Sequence, residues 1–287
     1  MAGWWDMSLR VIRERPKERN RLSGLSGALI FSARVIDPVH VGSGGPSLKG
    51  LEGFAKGEGR EIGGVEEALD VIRIGGKPAI PGSSLKGTVR SRLELTFRGY
   101  NGSVPSCFSV IGDVKIPSWR HREIYRSSSE NRGPPCDYLR YGTVCKVCDI
   151  FGAPGLASRV HFPNLIFGDE DEISSDLGRI VVIPRGAESE GALLFQGMEP
   201  YELGLVLIGM GNLKPLLIGR GKYRGMGRIQ ITPKSWLFTG RSREAFEGFA
   251  TFEPAKLWER LVQEAKSKYT NYIVEEDFDA RAKEVSH

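Results

Sequence analysis

Residues 80–98 read IPGSSLKGTVRSRLELTFR, and this stretch fixes where the first helix of the fold begins. Pro81-Gly82 makes a turn, and Ser83 or Ser84 stands where a serine caps a helix N-terminus. Leu85, Val89, Leu93 and Phe97 recur at every fourth position, which gives the helix one buried stripe. Lys86 and Arg90 lie one turn apart on an adjacent face, with Arg92 and Arg98 beyond them. A helix N-terminus carries unpaired N–H groups and partial positive charge, so these residues have the parts of an anion site. The phosphate-loop pattern GxxxxGK[ST] is absent.

Working outward, ALIFSARVID (28–37) alternates as a strand and ends at Asp37-Pro38. The following VHVGSGGPSLKGLEGFAKGEGREIGG is an irregular glycine-rich loop, and it contains a second SLKG at 47–50. GVEEALDVIRIGGKPAI then reads as a short helical or extended piece and two strands joined by a Gly75-Gly76 turn. Beyond the helix, RVHFPNLIF (159–167), RIVVIPR (179–185) and ALLFQGM (192–198) are strand-like. ELGLVLIGMG (202–211) fits a buried strand or a buried helix equally well. A final strand follows GRGKYRGMGRIQIT, and PAKLWERLVQEAKSKY is an amphipathic helix before an acidic tail. The expected organisation is a basic arm at 1–27, a domain at 28–240 and a C-terminal helix and tail at 241–287. The domain holds a lid near 41–70 and a cysteine-rich insertion near 99–150.

The 287 residues carry a net charge of +5 and include 37 glycines, which permits a polyanionic partner. No apolar run reaches bilayer length, and the N-terminus has no secretory pattern, so a cytoplasmic protein with no membrane partner is expected. Four cysteines in such a chain leave metal binding open and argue against a disulfide framework.

Three constellations carry chemistry besides the helix N-terminus. The first, GRGKYRGMGRIQI (219–231), interleaves four glycines with Arg220, Lys222, Arg224 and Arg228 and contains no acid. Such a loop suits a phosphodiester backbone, with Tyr223 placed to stack on a base. The second, Cys136-x8-Cys145-x2-Cys148, is a half-site for a structural zinc. The preferred fourth ligand is His121, with Cys107 as the rival. The third is the acidic group Glu66, Glu67 and Asp70, in which Glu66 and Asp70 share a face if the segment is helical. His40 is the nearby general-base candidate. His161, within a strand-like run, is expected in the core.

In this order the features resemble the RAMP superfamily of CRISPR effector proteins. The resemblance rests on HVGSG after the first strand, IPGSSLKGTVRSRLE, CDIFGAPGLASRVHF, IPRGAE at 183–188 and the late GRGKYRGMGRIQI, and it covers roughly residues 28–232. Within the superfamily the chain looks most like the repeated backbone subunit of type III-A (Csm) complexes. That resemblance implies an α+β fold, a modified ferredoxin-like (RRM-like) core with a helical lid and a thumb hairpin. It also implies stacking of copies along a crRNA guide, beside the large effector subunit and the small and capping Csm subunits. Single-stranded target RNA paired to the guide would be cut at regular intervals.

The implied RNA contacts are His40, Gly42, Ser43, Ser83, Ser84, Lys86, Arg90, Arg220, Lys222, Tyr223, Arg224 and Arg228. The implied catalytic residue is Asp70, with Glu66 and Glu67 in reserve. Its carboxylate would hold Mg2+ or another divalent ion, or help activate a 2′-hydroxyl. Two alternatives stand beside this reading: a non-catalytic subunit capping a Csm or Cmr complex, and a stand-alone guide-processing nuclease that uses His40.

Overall fold

The computed structural model describes residues 9–20, 23–46, 68–109, 131–175, 178–222, 224–239 and 253–274. The expectations for Glu66, Glu67, His121 and Tyr223, the second SLKG and most of the lid lie outside these residues. In chain order the elements are β1 (Arg10–Val11), β2 (Leu25–Val35), β3 (Gly42–Pro46), β4 (Ala68–Val71), β5 (Arg73–Ile74), β6 (Lys77–Ile80), α1 (Gly82–Thr96) and β7 (Ser103–Val104). They continue with α2 (Tyr138–Tyr141), α3 (Lys146–Phe151), β8 (Val160–His161), β9 (Leu165–Ile166), β10 (Asp171–Ser175), β11 (Gly178–Val182) and β12 (Glu188–Met198). The last are α4 (Pro200–Gly209), β13 (Leu216–Leu217), β14 (Arg228–Phe238) and α5 (Pro254–Lys268). The fold is mixed α+β with several sheets.

The main sheet runs β13-β14-β2-β12-β8, antiparallel throughout. Alternation along β2 buries Leu29, Phe31, Ala33 and Val35, and α1, α4 and α5 pack on that face. Leu85, Val89, Leu93 and Phe97 are all fully buried, as the spacing requires. The stretch at 202–211 resolves as helix α4. Pro200 opens it, and Glu199 and Glu202 close a reciprocal capping box. From Leu203 on it is apolar all round because it lies between two helices, with Gly204 against Leu261 of α5 and Gly209 against Val89 of α1. On the opposite face of the sheet Leu194 and Leu237 are exposed.

Smaller sheets join β10-β11-β4-β3, β5-β6-β9 and β1-β7. The β5–β6 hairpin turns at Gly75-Gly76 as expected. The described ends of the lid, β3 and β4, are strands rather than helix, so Asp70 stands on extended backbone. The cysteine-rich segment is no appendage: Val104, Cys107, Val144, Val147 and Ile150 join the main core.

The capping of α1 differs from the sequence expectation. Pro81 is the cap residue, and neither Ser83 nor Ser84 caps the helix. Asn164 Oδ1 instead accepts the Gly82 N–H at 2.9 Å. A side chain at Gly82 would sit 1.7 Å from the Phe162 carbonyl, so the 162–164 segment lies close enough for its asparagine to serve.

The described part of the basic arm is bound to the body. β1 pairs with β7, and Glu14 bridges to Val144. Further along, Arg19 meets Asp149 at 3.0 Å and Lys17 meets Glu199 at 2.6 Å and Glu202 at 3.4 Å. These contacts edge a buried network in which Arg159 bonds Asp149 and Glu202, each at 2.8 Å. Lys146 adds a bond to Glu202 at 3.2 Å.

Removing Arg159 would strand two buried carboxylates, so Arg159→Met is expected to lower stability by about 3–5 kcal/mol in denaturant unfolding. The same network gives a pH dependence. Burial alone would raise the Glu202 carboxyl, but hydrogen bonds and charge from Arg159 hold it down at about 2. A depressed carboxylate stabilises above its unfolded value and loses that contribution as pH falls through the folded one. The unfolding midpoint is therefore expected to drop between about pH 4.5 and 2, and Glu202→Gln is expected to flatten that drop.

Candidate metal centre and nucleic-acid interface

All four cysteines of the chain converge on one point. Cys145 and Cys148 flank the first turn of α3, Cys136 precedes α2, and Cys107 follows β7. The sulfurs of Cys107, Cys136, Cys145 and Cys148 lie within 4.8 Å of one another, all buried and none in a disulfide. Cys107 is 3.5 Å from Cys148 and 3.7 Å from Cys145. Metal–sulfur bonds of about 2.3 Å in a tetrahedron put sulfurs roughly 3.8 Å apart, so the donor set fits an ion such as zinc. Cys107, the rival fourth ligand, brings the cluster to four sulfurs, and the preferred His121 lies outside the described residues. The local CxxC spacing could not reveal Cys107, which arrives from a distant strand; the tally of four cysteines could.

Main-chain N–H groups of Cys107, Cys145 and Cys148 point at cluster sulfurs at 3.2–3.5 Å. Hydrogen bonds from Cys107 and the other two thiols hold Cys136 well below the usual thiol value, while burial pushes Cys145 well above it. A bound cation would replace the protons of all four thiols.

Elsewhere, two motifs separated along the chain meet main chain to main chain. Arg220 N–H donates to the His40 carbonyl at 2.9 Å, and Gly227 N–H donates to the Pro38 carbonyl at 2.9 Å. Gly219 has φ +80°, and a Cβ there would lie 2.3 Å from the His40 carbonyl oxygen. On the other side, Gly42 pairs with Val71, and Ile72 N–H donates to Val41 O at 2.9 Å. The 40–43 segment therefore lies between the basic loop and the strand carrying Asp70, with Gly42 and Ser43 exposed.

The cations expected to meet RNA divide into two groups. Arg90 faces inward: it donates to Glu94 at 2.8 Å, the Gly152 carbonyl at 2.9 Å and Cys148 Sγ at 3.0 Å. Arg228 pairs with Asp37. Lys86, Lys222 and the exposed Arg220 make no ion pair among the described residues. Burial lowers the amine of Lys222, and burial with the neighbouring Arg90 charge lowers that of Lys86, so both gain from a nearby anion. Ser83 is exposed and Ser84 half-buried at the start of α1. His40 is 1% exposed, with Nδ1 2.8 Å from the Val181 carbonyl oxygen, and His161 is exposed on β8 rather than in the core. Asp70 Oδ1 accepts from the Val71 N–H at 2.9 Å and from Arg73 at 3.2 Å, and Arg73 also pairs with Glu170.

Residues 32–230 match the RAMP superfamily. No curated protein matches the chain.

The cluster geometry yields a direct test of the fourth ligand. Cys107→Ser is expected to weaken zinc binding at least tenfold in chelator competition, whereas His121→Ala leaves it unchanged.

Proposed function

This chain belongs to the RAMP superfamily, and we propose that it is a backbone subunit of a type III-A CRISPR effector complex. In this reading it binds guide crRNA, stacks with further copies of itself and cuts paired target RNA. The main sheet supports a ferredoxin-like core. Taken from β14 to β8, its order is the fourth, first, third and second strands of a βαββαβ unit, with α1 and α4 as the crossover helices. The β10–β11 hairpin would be the thumb. The cysteine cluster would hold a structural zinc against the first helix of the fold at Arg90.

The observation that carries the reading is the position of the 40–43 segment, between the basic loop and Asp70's strand. A guide lying there would meet Arg220, Lys222, Gly42 and Ser43, with target RNA on the Asp70 side. Phosphate contacts of this kind give salt-dependent, weakly sequence-dependent binding, and base pairing with the guide selects the target.

For cleavage, both contacts of Asp70 among the described residues fall on Oδ1, which leaves Oδ2 to accept a 2′-hydroxyl proton or to help hold a divalent ion. Such an ion, when bound, would offset charge growing on the scissile phosphate. Arg73 fixes the direction of the carboxylate. Attack by the 2′-oxygen on phosphorus closes the cyclic phosphate and breaks the bond to the 5′-oxygen, which takes a proton from water and leaves as a free 5′-hydroxyl.

A non-cutting capping subunit is the second reading. It is favoured by the ion pairing of Asp70 through Arg73 to Glu170, which reduces the carboxylate's availability. His40 as the base of a stand-alone processing nuclease is disfavoured, because its ring is buried and held at Val181.

In a guide-loaded complex, Asp70→Ala is expected to bind target and lose every regularly spaced cut. Retention of all cuts would support the capping role. Separately, Arg220→Ala and Lys222→Ala are each expected to reduce the slope of log affinity against log salt by about 1. Arg90→Ala is expected to leave that slope unchanged.

A further inference from the structure

Two arginines from different parts of the chain touch the cysteine cluster. Arg13, in the arm, places Nε 3.4 Å from Cys136 Sγ and Nη2 2.8 Å from the Pro134 carbonyl oxygen. Arg90, in α1, places Nη2 3.0 Å from Cys148 Sγ and Nη1 2.9 Å from the Gly152 carbonyl oxygen. Each guanidinium thus bonds a cluster sulfur and a carbonyl close to it in sequence. Such paired anchoring fixes the planar fork on its sulfur.

We propose that Arg13 and Arg90 are positioning residues for a divalent ion at the cluster, supplying the positive charge that the ion lacks. A divalent cation with four thiolates carries two net negative charges, and these are buried here. Uncompensated charge in such a site is costly, and two guanidiniums bring it back to neutrality. Four neutral thiols would instead leave both guanidiniums facing weak, uncharged acceptors. Arg90 is shared with Glu94, whose other oxygen is held by the N–H and hydroxyl of Ser109, each at 3.1 Å. The carbonyl of Glu94 accepts from the buried Arg132, so a further cation stands on that side.

An N–H donated to a thiolate also withdraws electron density from sulfur, which lowers its reactivity toward electrophiles. The pair therefore protects the centre as well as neutralising it. The ion in turn ties the arm and α1 to one point, so a segment remote from the first helix shares its anchor. Arg90, by its sequence position a candidate for RNA, acts instead on the metal site.

The inference rests on the cluster holding a divalent ion, and the test separates the two. Full-length wild type, Arg13→Gln, Arg13→Lys and Arg90→Gln would be loaded with zinc, and affinity measured by competition with a chromophoric chelator. Loading with cobalt(II) reports the number of sulfur ligands from its absorption bands. Each Gln variant is expected to bind zinc about 10–100-fold more weakly and to release it faster to an alkylating reagent. Arg13→Lys is expected to recover most of the affinity, and the cobalt bands are expected to remain those of four sulfurs. If wild type takes up neither metal, the metal reading itself fails. If wild type binds but the Gln variants match it within twofold, the arginines only pack against the cluster and the proposal is overturned. Should Arg90→Gln fail to fold, Arg13→Gln decides alone, because the arm lies at the edge of the structure.

Discussion

Two segments of main chain lie directly against each other at Gly219 and Gly227, and the candidate RNA face depends on that contact. A Cβ at Gly219 would meet the His40 carbonyl at 2.3 Å, and one at Gly227 would meet the Ile218 carbonyl at 2.3 Å. The loop is therefore held by backbone hydrogen bonds and by Met226, which packs on Ile180 and Val182 of β11. Holding the loop by its main chain, by Met226 and by the Arg228–Asp37 pair leaves the side chains of Arg220 and Lys222 available. The same arrangement continues through the 40–43 segment to β4, so Asp70 is aligned with the basic loop by strand pairing rather than by any contact of its own.

Buried charge performs the complementary task on the other side of the molecule. Asp149 and Glu202 come from α3 and α4, Arg159 from the chain just before β8, and Lys17 and Arg19 from the arm. Buried ion pairs are weak evidence for net stability, because desolvation opposes their attraction. They do specify register, since each carboxylate is satisfied in one arrangement only. Together with Arg13 at the cysteine cluster, they explain why residues 9–20 follow the surface of the body.

Several elements were legible because their signals are local. The four-residue stripe of α1, the Gly75-Gly76 hairpin, the alternation of β2 and the amphipathic α5 are periodicities within one segment, and each forms where the sequence places it. Superfamily membership was legible from the order of short motifs. What escaped were long-range relations. Asn164 caps α1 from 82 residues away, and Arg90 reaches Cys148 across 58. A serine beside a helix start looks like its cap until another segment packs in first. An arginine on a basic helix looks solvent-facing until its partner sulfur is known. The extended form of 68–71 was open in the sequence, because four residues are too few to distinguish the two periods.

The most direct test of the RNA face is photo-crosslinking of a guide carrying reactive nucleotides, with the linked peptides mapped by mass spectrometry. Crosslinks are expected in 39–46 and 219–228, the two segments joined through Gly219 and His40. Crosslinks confined to the other face of the main sheet, around the exposed Leu194 and Leu237, would contradict the account.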